Sequence, residues 1–542
     1  MRPYRSLSAA VFVVLLCALV GGFFGRGALV AQSQLPEQYK VFTSALAAVE
    51  ADYAGGPVES DRLVYGGITG MLQTLDPHSS FFDPRAYAQM RERQEGHYYG
   101  LGITINVIDG DITVASVFEA SPAYQKGVRR GDIIAQIEGD TTKGWTSEQA
   151  VAKLRGQKGT FVNIGLKRSG YDKLIPLQVM RDEIHIPTVP SAFMLDSTTG
   201  YIKLREFGET ADAEVGKALK DLSAKGMKRL VFDLRANPGG QLDQAIKVAN
   251  RFLPRGEMIV YTRGRIPNSD QEYRATEQSD YLNIPIVALV NRSSASASEI
   301  VSGALQDHDR AFIVGETTFG KALVQSVYRV SGGAGAAITT ARYFTPSGRL
   351  IQRPWDSTFD DYLSYTLRDQ DPNRAHKPED LKYTDEGRKV YSGGGIEPDR
   401  RFDGPIEGFN PTHQGRLIYA RGMFDGYARR FRRTGDTRIP PSAGSTPREL
   451  SPDFDVTDAM VTEFRQMVAA ARIPIDETMW KTDLDFTKAM IHKEIDVDLF
   501  GEAAAFRGLT KRDPQLQFAL GLFPDAQQLL QLRNQKSTRA AR

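Results

Sequence analysis

Residues 286–300 read IVALVNRSSASASEI: five apolar residues, a serine-rich turn and the start of an apolar helix. Five consecutive apolar residues are typical of a strand that is buried on both faces of a parallel sheet. In an open α/β fold, the turn after such a strand lies at the carboxyl edge of the sheet, where binding and catalytic sites are found. The stretch therefore predicts an α/β core and places its serines at the edge that carries sites.

The same alternation of strands and helices continues on both sides of this stretch. The predicted strands are 201–207, 229–234, 258–262, 286–290 and 311–314, and the predicted helices are 211–224, 242–252 and 296–305. Such alternation indicates crossover units around a mainly parallel sheet. We assign the core to residues 184–400.

The flanking regions follow other patterns. Apolar residues recur at helical spacing over 38–50 and 62–75, which predicts a helical N-terminal region at 33–95. Residues 96–183 predict a β-rich module with strands at 103–107, 112–117, 133–137, 161–166 and 174–179, and a helix at 147–154 capped by Thr146. Residues 401–542 predict a helical extension with helices near 456–471, 485–495 and 515–522, and a Pro/Ser/Gly-rich break at 439–447.

Composition bounds the class of protein. The 542 residues are 41% apolar and 25% charged, with a formal net charge of +2. These values match an ordinary multidomain globular protein, which excludes a disordered chain and a multi-span membrane protein. A balanced charge gives no basic stripe for nucleic acid, so we expect no nucleic-acid partner.

The N-terminus carries the pattern of an export segment. Arg2 and Arg5 precede an uncharged apolar run over 6–25, which is long enough to span a bilayer. The segment 29–31 also resembles a cleavage site, so a signal peptide and a membrane anchor at 1–32 both remain open. Either way we expect an exported protein, periplasmic or anchored to the inner membrane and facing the periplasm. The only cysteine, Cys17, lies inside this run, so the exported body forms no disulfide.

Ser296 is a candidate nucleophile because it lies where a strand runs into a helix. The helix dipole and free backbone N–H groups at that point favour a developing negative charge. The alternative is an ordinary N-cap in which Glu299 serves as the capping acid. The segment alone leaves both interpretations open.

Lys321 follows the next strand, between Gly320 and apolar residues. Neighbouring parallel strands bring their following loops together, so Lys321 is a candidate neighbour of Ser296. A serine hydroxyl needs a base, and a lysine is a base only when burial keeps it neutral. The alternative for a lone lysine is a solvated surface cation.

The segment 231–240 reads VFDLRANPGG and again joins a strand to a helix. Gly239 and Gly240 allow backbone N–H groups to approach a substrate oxygen closely, as an oxyanion hole requires. The spacing of a dinucleotide-binding loop is absent, so we discount that alternative.

Together these segments resemble the carboxyl-terminal processing peptidases, or tail-specific proteases, of serine peptidase family S41, over roughly residues 38–400. The resemblance implies a crotonase-like protease core with Ser296 as nucleophile, Lys321 as base and Gln325 positioning the lysine. It also implies an oxyanion hole made by the Ala297 amide with that of Gly239 or Gly240, and no cofactor or metal. Where the family often has Gly-Lys-Gly-Ser-Val-Gln, this chain has Gly-Lys-Ala-Leu-Val-Gln at 320–325.

A histidine base is the mechanistic competitor. None of the seven histidines is placed for that role by the sequence. His308 lies at the far end of the helix that Ser296 opens, in an Asp-His-Asp run that we expect to be solvated. We expect each histidine to be a surface or turn residue, and none forms a metal-spaced cluster.

The β-rich module resembles a PDZ domain. The turn at Tyr99, Gly100, Leu101, Gly102 and Ile103 resembles its carboxylate-binding loop, whose amides hold a free C-terminus while the peptide adds a strand to the sheet edge. The alternative is that the module only packs on the protease. If it does bind C-termini, we also expect it to gate the protease, with occupancy aligning Ser296 with Lys321.

Two functions are therefore compared. The first is an endopeptidase that cleaves exported proteins near their free C-termini, and the second is a catalytically idle PDZ adaptor. The C-terminal extension adds apolar residues that must be buried, either against the core or against another chain. We favour a subunit or adaptor contact there, and expect a homo-oligomer, with a membrane contact through the N-terminal segment if it is not cleaved. These residues are Phe454, Met460, Phe464, Met467, Trp480, Phe486, Leu499, Phe500, Phe518 and Leu522.

Overall fold

The computed structural model describes residues 36–168, 170–355, 362, 364–367, 371, 375–433, 451 and 454–540. The chain forms two compact units, of which the first comprises residues 36–85 and 327–338 among those described. The second comprises the rest of the described chain. The predicted export segment at 1–32, with Cys17, and the predicted break at 439–447 lie outside the described residues.

The first unit is built mainly of two helices. They span residues 36–52 and Ser60–Gln73, which confirms the predicted helical region. The strand Ser80–Phe82 pairs antiparallel with residues 335–337. Within the described ranges, no helix of the chain is both long and apolar enough to cross a bilayer.

The β-rich module at the start of the second unit is an antiparallel sheet packed on one main helix. After the helix Pro84–Glu95, its main strands are Ile103–Ile108, Asp111–Val117, Ile133–Ile137, Phe161–Lys167 and Ile175–Met180, in that order across the sheet. Asp140–Thr141 pairs with Ile133–Ile137, His97–Gly100 pairs with Asp182–His185, and the helices are Pro122–Gln125 and Ser147–Leu154. Thr146 closes a capping box with Gln149, as the sequence predicts for a helix start. The strand Ile103–Ile108 lies at the sheet edge and is therefore open to an added strand.

The core is a six-stranded sheet that is parallel apart from one edge strand. Its order is Ser191–Met194, Thr199–Lys203, Arg229–Asp233, Ile286–Val290, Phe312–Gly315 and Arg400–Arg401. Every residue of the central strand Ile286–Val290 is buried, as its apolar run predicts. The helices Ala211–Ala224, Leu242–Asn250 and Ala297–Asp307 contribute to the main apolar core. The predicted mainly parallel core is confirmed.

One predicted element belongs to a different sheet. The strand Met258–Gly264 pairs antiparallel with Gln271–Arg274 and with residues 341–344 of the strand Gly335–Phe344. Its end, Thr262-Arg263-Gly264, is too polar for a parallel strand buried on both faces. The strand Leu323–Arg329 also pairs with Gly335–Phe344. Smaller elements are the strands Leu381–Tyr383 and Lys389–Tyr391 and the 3₁₀ turns Ser331–Gly333, Ser364–Leu367 and Pro378–Asp380.

The C-terminal extension is helical and packs into its own chain. Its helices are His413–Ala420, Met423–Arg433, Asp458–Ala470, Glu477–Thr482, Leu484–Phe500, Glu502–Thr510, Pro514–Leu520 and Phe523–Ala540. Most of them share an apolar core that includes Phe464 and Phe486, whereas Leu516 and Phe523 pack on the core sheet against Val287 and Leu289.

The expectation that the apolar residues of this extension meet another chain is wrong for most of them. Phe454, Met460, Phe464, Trp480 and Phe486 are all less than 10% exposed within this chain. They already have the packing partners that short helices need. Of the ten residues that suggested an external contact, Phe518 is the one that ranks among the exposed large apolar side chains.

Candidate active site

Ser296 lies on a strained turn between the strand Ile286–Val290 and the helix Ala297–Asp307. Its backbone has φ 54° and ψ −112°, in a region that non-glycine residues seldom adopt. Strain of this kind is worth about 1–3 kcal/mol and persists only where the surroundings hold it. The turn leaves Ser296 half-buried while its neighbours Ala295 and Ala297 are buried.

The glycine turn at 237–240 lies directly against this serine. A Cβ added to Gly239 would lie 2.8 Å from both Ala295 O and Ser296 Cβ, and 2.9 Å from Ala297 N. Gly239 also has φ +102°, so both space and backbone require glycine there. The Ala295 N–H donates to Asn237 O at 2.9 Å, which ties the two turns together.

The two glycines of this turn have different surroundings. The Gly239 N–H donates to the Asn237 side-chain oxygen at 2.9 Å, so in this structure it is committed to that partner. Gly240 has φ +145°, and an added Cβ would lie 2.4 Å from Phe207 O. Both glycines are thus required by close backbone approach, as the sequence predicts.

Glu299 connects the serine turn to the lysine loop. One oxygen of its carboxylate, Oε2, accepts the Ser296 N–H at 2.8 Å and the Lys321 N–H at 2.9 Å. The other, Oε1, accepts the Gly320 N–H at 2.6 Å and the Thr318 hydroxyl. Glu299 is completely buried, so all four donors depend on this carboxylate.

The environment of Glu299 opposes its charge. Burial raises the pKa of Glu299 to about 7, although the hydrogen bonds from Thr318, Lys321, Gly320 and Ser296 favour the carboxylate. The sequence identifies Glu299 as a capping acid, and the structure keeps that role toward the Ser296 N–H. It adds the contacts to the lysine loop, which local sequence does not reveal.

Tyr343 forms a second link between the two loops. Its hydroxyl lies 3.1 Å from Ser296 O and 2.5 Å from Lys321 O, and its ring is buried. The Phe319 N–H also donates to Ser294 O at 2.9 Å. The predicted proximity of the serine and lysine loops is therefore confirmed at the level of the backbone. Tyr343 carries no sequence signal that would have placed it here.

The lysine loop is also held from residues 352–353. The Arg353 N–H donates to Gly320 O at 2.8 Å, and Gln352 Oε1 accepts the Ala322 N–H at 2.8 Å. The Arg353 guanidinium lies 4.4 Å from the Phe319 ring centroid, which fixes the loop by a cation–π contact. Lys321 is half-buried, and Ala322 and Leu323 beside it are buried.

Gln325 lies on the strand Leu323–Arg329, four residues after Lys321. Its side-chain amide donates to the Thr339 hydroxyl at 3.3 Å. This contact anchors the glutamine on the neighbouring strand. Its predicted role in positioning Lys321 remains a prediction.

The predicted carboxylate-binding loop has the geometry of a tight turn before an edge strand. Gly102 has φ +79°, and an added Cβ would lie 2.2 Å from Ser121 Cβ, so glycine is required there. Leu101 is buried, Tyr99 is 43% exposed, and Ile103 pairs with Val117. Gly100 ends the strand that pairs with Asp182–His185.

Comparison with known proteins identifies the family. Residues 198–356 match the family model described as peptidase family S41, and residues 89–167 match that of the PDZ domain. The carboxy-terminal-processing protease of Bartonella bacilliformis is 40% identical over 298 residues, which cover 54% of this chain and 68% of that protein. The chain belongs to peptidase family S41.

A second relative agrees with this family, and one solved structure can be compared with the chain. The carboxy-terminal processing protease CtpA of Bacillus subtilis is 33% identical over 351 residues, covering 63% of this chain and 74% of that protein. A solved photosystem II D1 C-terminal processing protease is 27% identical, covers 68% of this chain and 88% of that one, and has a TM-score of 0.36. This S41 chain is therefore a serine protease of the carboxy-terminal processing group with a PDZ domain.

Two histidines of this S41 chain are not where the sequence places them. His308 is only 7% exposed, with Nδ1 2.7 Å from Asp385 and Nε2 2.6 Å from Met258 O, so the Asp-His-Asp run is not solvated. His492 is 1% exposed and lies 3.0 Å from Asp496. The partners of His308 come from other elements, whereas Asp496 lies one turn further along the same helix as His492. Charge patterns alone do not show that either histidine is buried. His308 remains unsuited as a base for Ser296, because the eleven-residue helix between them is about 16 Å long.

An ion-pair network beneath the glycine turn was missed by sequence reasoning. Arg235 is buried and donates to both carboxylate oxygens of Asp233, and Lys203 lies 3.1 Å from the same carboxylate. Burial alone would raise the pKa of Asp233, but Arg235 and Lys203 hold it well below its ordinary value. In the described part of the chain, no group of three or more His, Cys, Asp and Glu side chains is arranged to hold a metal.

Proposed function

We propose that this chain is a serine endopeptidase in which Ser296 is the nucleophile and Lys321 its general base. The proposal rests on one observation: a single oxygen of the Glu299 carboxylate accepts hydrogen bonds from the backbone N–H groups of both Ser296 and Lys321. A buried carboxylate that fixes two loops at once keeps their side chains in register, and catalysis by proximity depends on such fixing.

In the proposed reaction, neutral Lys321 takes the proton from Ser296 Oγ as that oxygen attacks the scissile carbonyl carbon. The carbonyl oxygen becomes an oxyanion, stabilised by the Ala297 amide and by that of Gly240, or by that of Gly239 once its N–H leaves the Asn237 side chain. The protonated lysine then gives its proton to the leaving amine, and the peptide bond breaks to leave an ester on Ser296. Water, activated by Lys321, hydrolyses the ester, and Gln325 keeps the lysine oriented.

The neutral state of Lys321 is the demanding part of this scheme. Apolar surroundings disfavour a charged ammonium group. Ala322 and Leu323, which follow the lysine, are 0% and 3% exposed, and the packed ring of Phe319 precedes it. These neighbours support the base role over that of a solvated cation.

The PDZ domain is proposed to bind the free C-termini of protein or peptide substrates. The edge strand Ile103–Ile108 is available for strand addition, and the amides of Leu101, Gly102 and Ile103 would hold the terminal carboxylate. Substrates would accordingly be cleaved near their C-termini. Occupancy of the domain is proposed to favour alignment of Ser296 with Lys321.

A homo-oligomer is also proposed, now through the N-terminal helices. Tyr39, Val41 and Met71 on these helices, and Tyr53 directly after the first of them, are between 59% and 72% exposed. Exposed apolar surface of this kind marks an interaction site, and a second copy of the same face would bury it. An adaptor on the C-terminal helices is not part of the proposal, because most of their apolar residues already pack within this chain. Light scattering of the purified chain tests the assembly, and a monomer would contradict it.

We also propose that the protein acts outside the cytoplasm, in the periplasm or anchored to the inner membrane. The support is Arg2 and Arg5 before the apolar run at 6–25. Fractionation of cells that express the full chain tests this location.

The decisive experiment for the proposed function uses Ser296→Ala and two forms of one peptide. We expect the variant to lose peptide-bond cleavage while it binds a peptide with a free apolar C-terminus as tightly as the unaltered chain. The unaltered chain should cleave this peptide faster than its C-terminally amidated twin, because amidation removes the charge that the loop amides bind. Cleavage that survives in Ser296→Ala would refute the nucleophile, and equal rates on the two peptides would refute C-terminal recognition.

A further inference from the structure

The C-terminal extension contacts the base of the active site through Asp513 and Gln515. Asp513 caps the helix Pro514–Leu520 by accepting the Leu516 N–H at 3.0 Å, and Gln515 lies in the first turn of that helix. Both side chains are buried, with exposures of 2% and 0%. Their functional groups point at the two strand ends that carry the active-site turns.

Arg235 is the first point of contact. Its guanidinium lies 2.7 Å from Asp513 Oδ2 and donates to Gln515 Oε1 at 3.0 Å. Asp233 also binds this guanidinium. The carboxylates of Asp233 and Asp513 and the side-chain amide of Gln515, from two distant parts of the sequence, therefore fix it together. A buried arginine held by three groups has very little freedom to move.

The main chain at Val290 is the second point of contact. Gln515 Nε2 donates to Val290 O at 3.4 Å, at the last residue of the strand that leads to Ser296. The fit is close on both sides of the helix start. A Cβ added to Gly315 would lie 2.4 Å from Gln515 Nε2, and one added to Gly408 would lie 1.8 Å from Asp513 Oδ1.

From Arg235 the path to the reacting atoms is short. The next residue, Ala236, has φ 54° and donates its N–H to Asn291 Oδ1 at 2.8 Å. Asn237 then holds the Gly239 amide through its side chain and the Ala295 amide through its carbonyl oxygen. A shift of Arg235 would therefore move the glycine turn relative to the serine turn.

We propose that Asp513 and Gln515 are positioning residues of the active site, which hold Arg235 and the Val290 carbonyl so that the glycine turn faces Ser296. The proposal rests on the proposed function, since it assigns these residues to the oxyanion geometry of that reaction. It makes the C-terminal extension part of the catalytic structure and contradicts its interpretation as a separate surface. Transition-state stabilisation by amides is sensitive to such geometry, whereas substrate capture by the PDZ domain is not.

The test compares Asp513→Asn with a matched control, Asp476→Asn, in the full chain. Asp476 caps another helix of the C-terminal extension, Glu477–Thr482, with its Oδ1 2.9 Å from both Thr478 N and Met479 N. Unlike Asp513, Asp476 is exposed. Asparagine is as good an N-cap as aspartate, so both helix starts are kept. We expect Asp513→Asn to lower kcat at least tenfold with KM within twofold, and Asp476→Asn to leave both unchanged.

A second pair covers the amide contacts. Gln515→Ala removes the bonds to Arg235 and Val290. Gln517→Ala removes one bond from the same helix, which the exposed residue Gln517 donates to Thr510 O at 3.0 Å. We expect a kcat loss in the first variant alone, measured well below the Tm of each protein, with unchanged binding of a C-terminal peptide.

The outcomes separate this proposal from the proposed function. Wild-type kcat in folded Asp513→Asn and Gln515→Ala would overturn the positioning role while Ser296→Ala still lost activity. Failure of both variants to fold would also overturn it, since the residues would then serve the fold alone. Activity that persisted in Ser296→Ala would instead refute the proposed function.

Discussion

Replacement of Glu299 by glutamine tests whether one buried carboxylate keeps the serine and lysine loops in register. The substitution preserves the size of the side chain but exchanges one oxygen for an NH₂ group. Four donors converge on the carboxylate, two on each oxygen. With the NH₂ group in place of Oε2, the Ser296 and Lys321 N–H groups face another donor. With the NH₂ group in place of Oε1, the Gly320 N–H faces another donor, whereas the Thr318 hydroxyl can turn and accept.

The expected magnitude follows from this count. Each buried donor that loses its acceptor costs about 1–3 kcal/mol, so Glu299→Gln in its better orientation, with one such donor, should destabilise this part of the site by about 1–3 kcal/mol. Relaxation of the loops relieves that cost by moving Ser296 away from Lys321. Because about 1.4 kcal/mol corresponds to a tenfold change in rate, we expect kcat to fall by about tenfold or more.

The assay is kcat and KM on a peptide with a free C-terminus, together with Tm. Glu214→Gln is the matched control, since Glu214 accepts the Val189 N–H at 2.9 Å and the Thr210 hydroxyl at 2.6 Å on a helix that carries no proposed catalytic residue. This control should lose stability and keep kcat. A folded Glu299→Gln protein with more than half of the wild-type kcat would refute the link between the loops.

Three further predictions concern pH, the glycine turn and the C-terminal helices. Since burial raises the pKa of Glu299 from 4.5 to about 7, the folded state keeps a proton between these pH values that the unfolded state loses. The unfolding free energy of wild type, relative to that of Glu299→Gln, should therefore fall by about 3 kcal/mol as pH rises from 4.5 to 7. Over the same range kcat of wild type should rise, because the carboxylate regains its four donors. Chemical denaturation and kinetics at each pH measure both, and a stability difference that does not change with pH would count against this ionisation. Gly239→Ala should reduce kcat by about 10²-fold or more and leave peptide binding intact, because the Cβ of the new alanine would lie 2.8 Å from Ser296 Cβ. A fully active variant would rule out this close approach. A chain that ends at residue 402 should fail to fold, because it lacks Leu516 and Phe523, which cover the apolar face of the core sheet. A soluble product that melts cooperatively would disprove this covering role.

The sequence predicts the part of the fold that local patterns encode. The strand Ile286–Val290 and the helices Ser147–Leu154 and Ala211–Ala224 begin and end where apolar spacing places them. The proximity of the serine and lysine loops also follows from sequence, because adjacent parallel strands end at the same sheet edge. Gly239 is predictable as well, since only glycine allows so close an approach.

The remaining parts of the site depend on contacts between distant segments. Gln515 binds Arg235 across 280 residues, and Tyr343 reaches Ser296 O across 47. Nothing in the local pattern around either residue indicates these partners. The strand Met258–Gly264 lies in a different sheet from the predicted one, because its pairing with residues 341–344 is also a contact with a distant segment. Burial of His308 within a charged run likewise follows from tertiary packing.

The central claim is that Lys321 acts as a base and not as a fixed positive charge. Lys321→Arg tests it most directly, because arginine keeps the charge and much of the length but is never neutral near pH 7. We expect its kcat/KM to fall to the level of Lys321→Ala and Ser296→Ala, since the two residues act as a unit, with Tm within a few degrees of wild type. Retention of more than about a tenth of wild-type kcat/KM in Lys321→Arg, measured beside an inactive Ser296→Ala, would contradict the proposed serine–lysine mechanism.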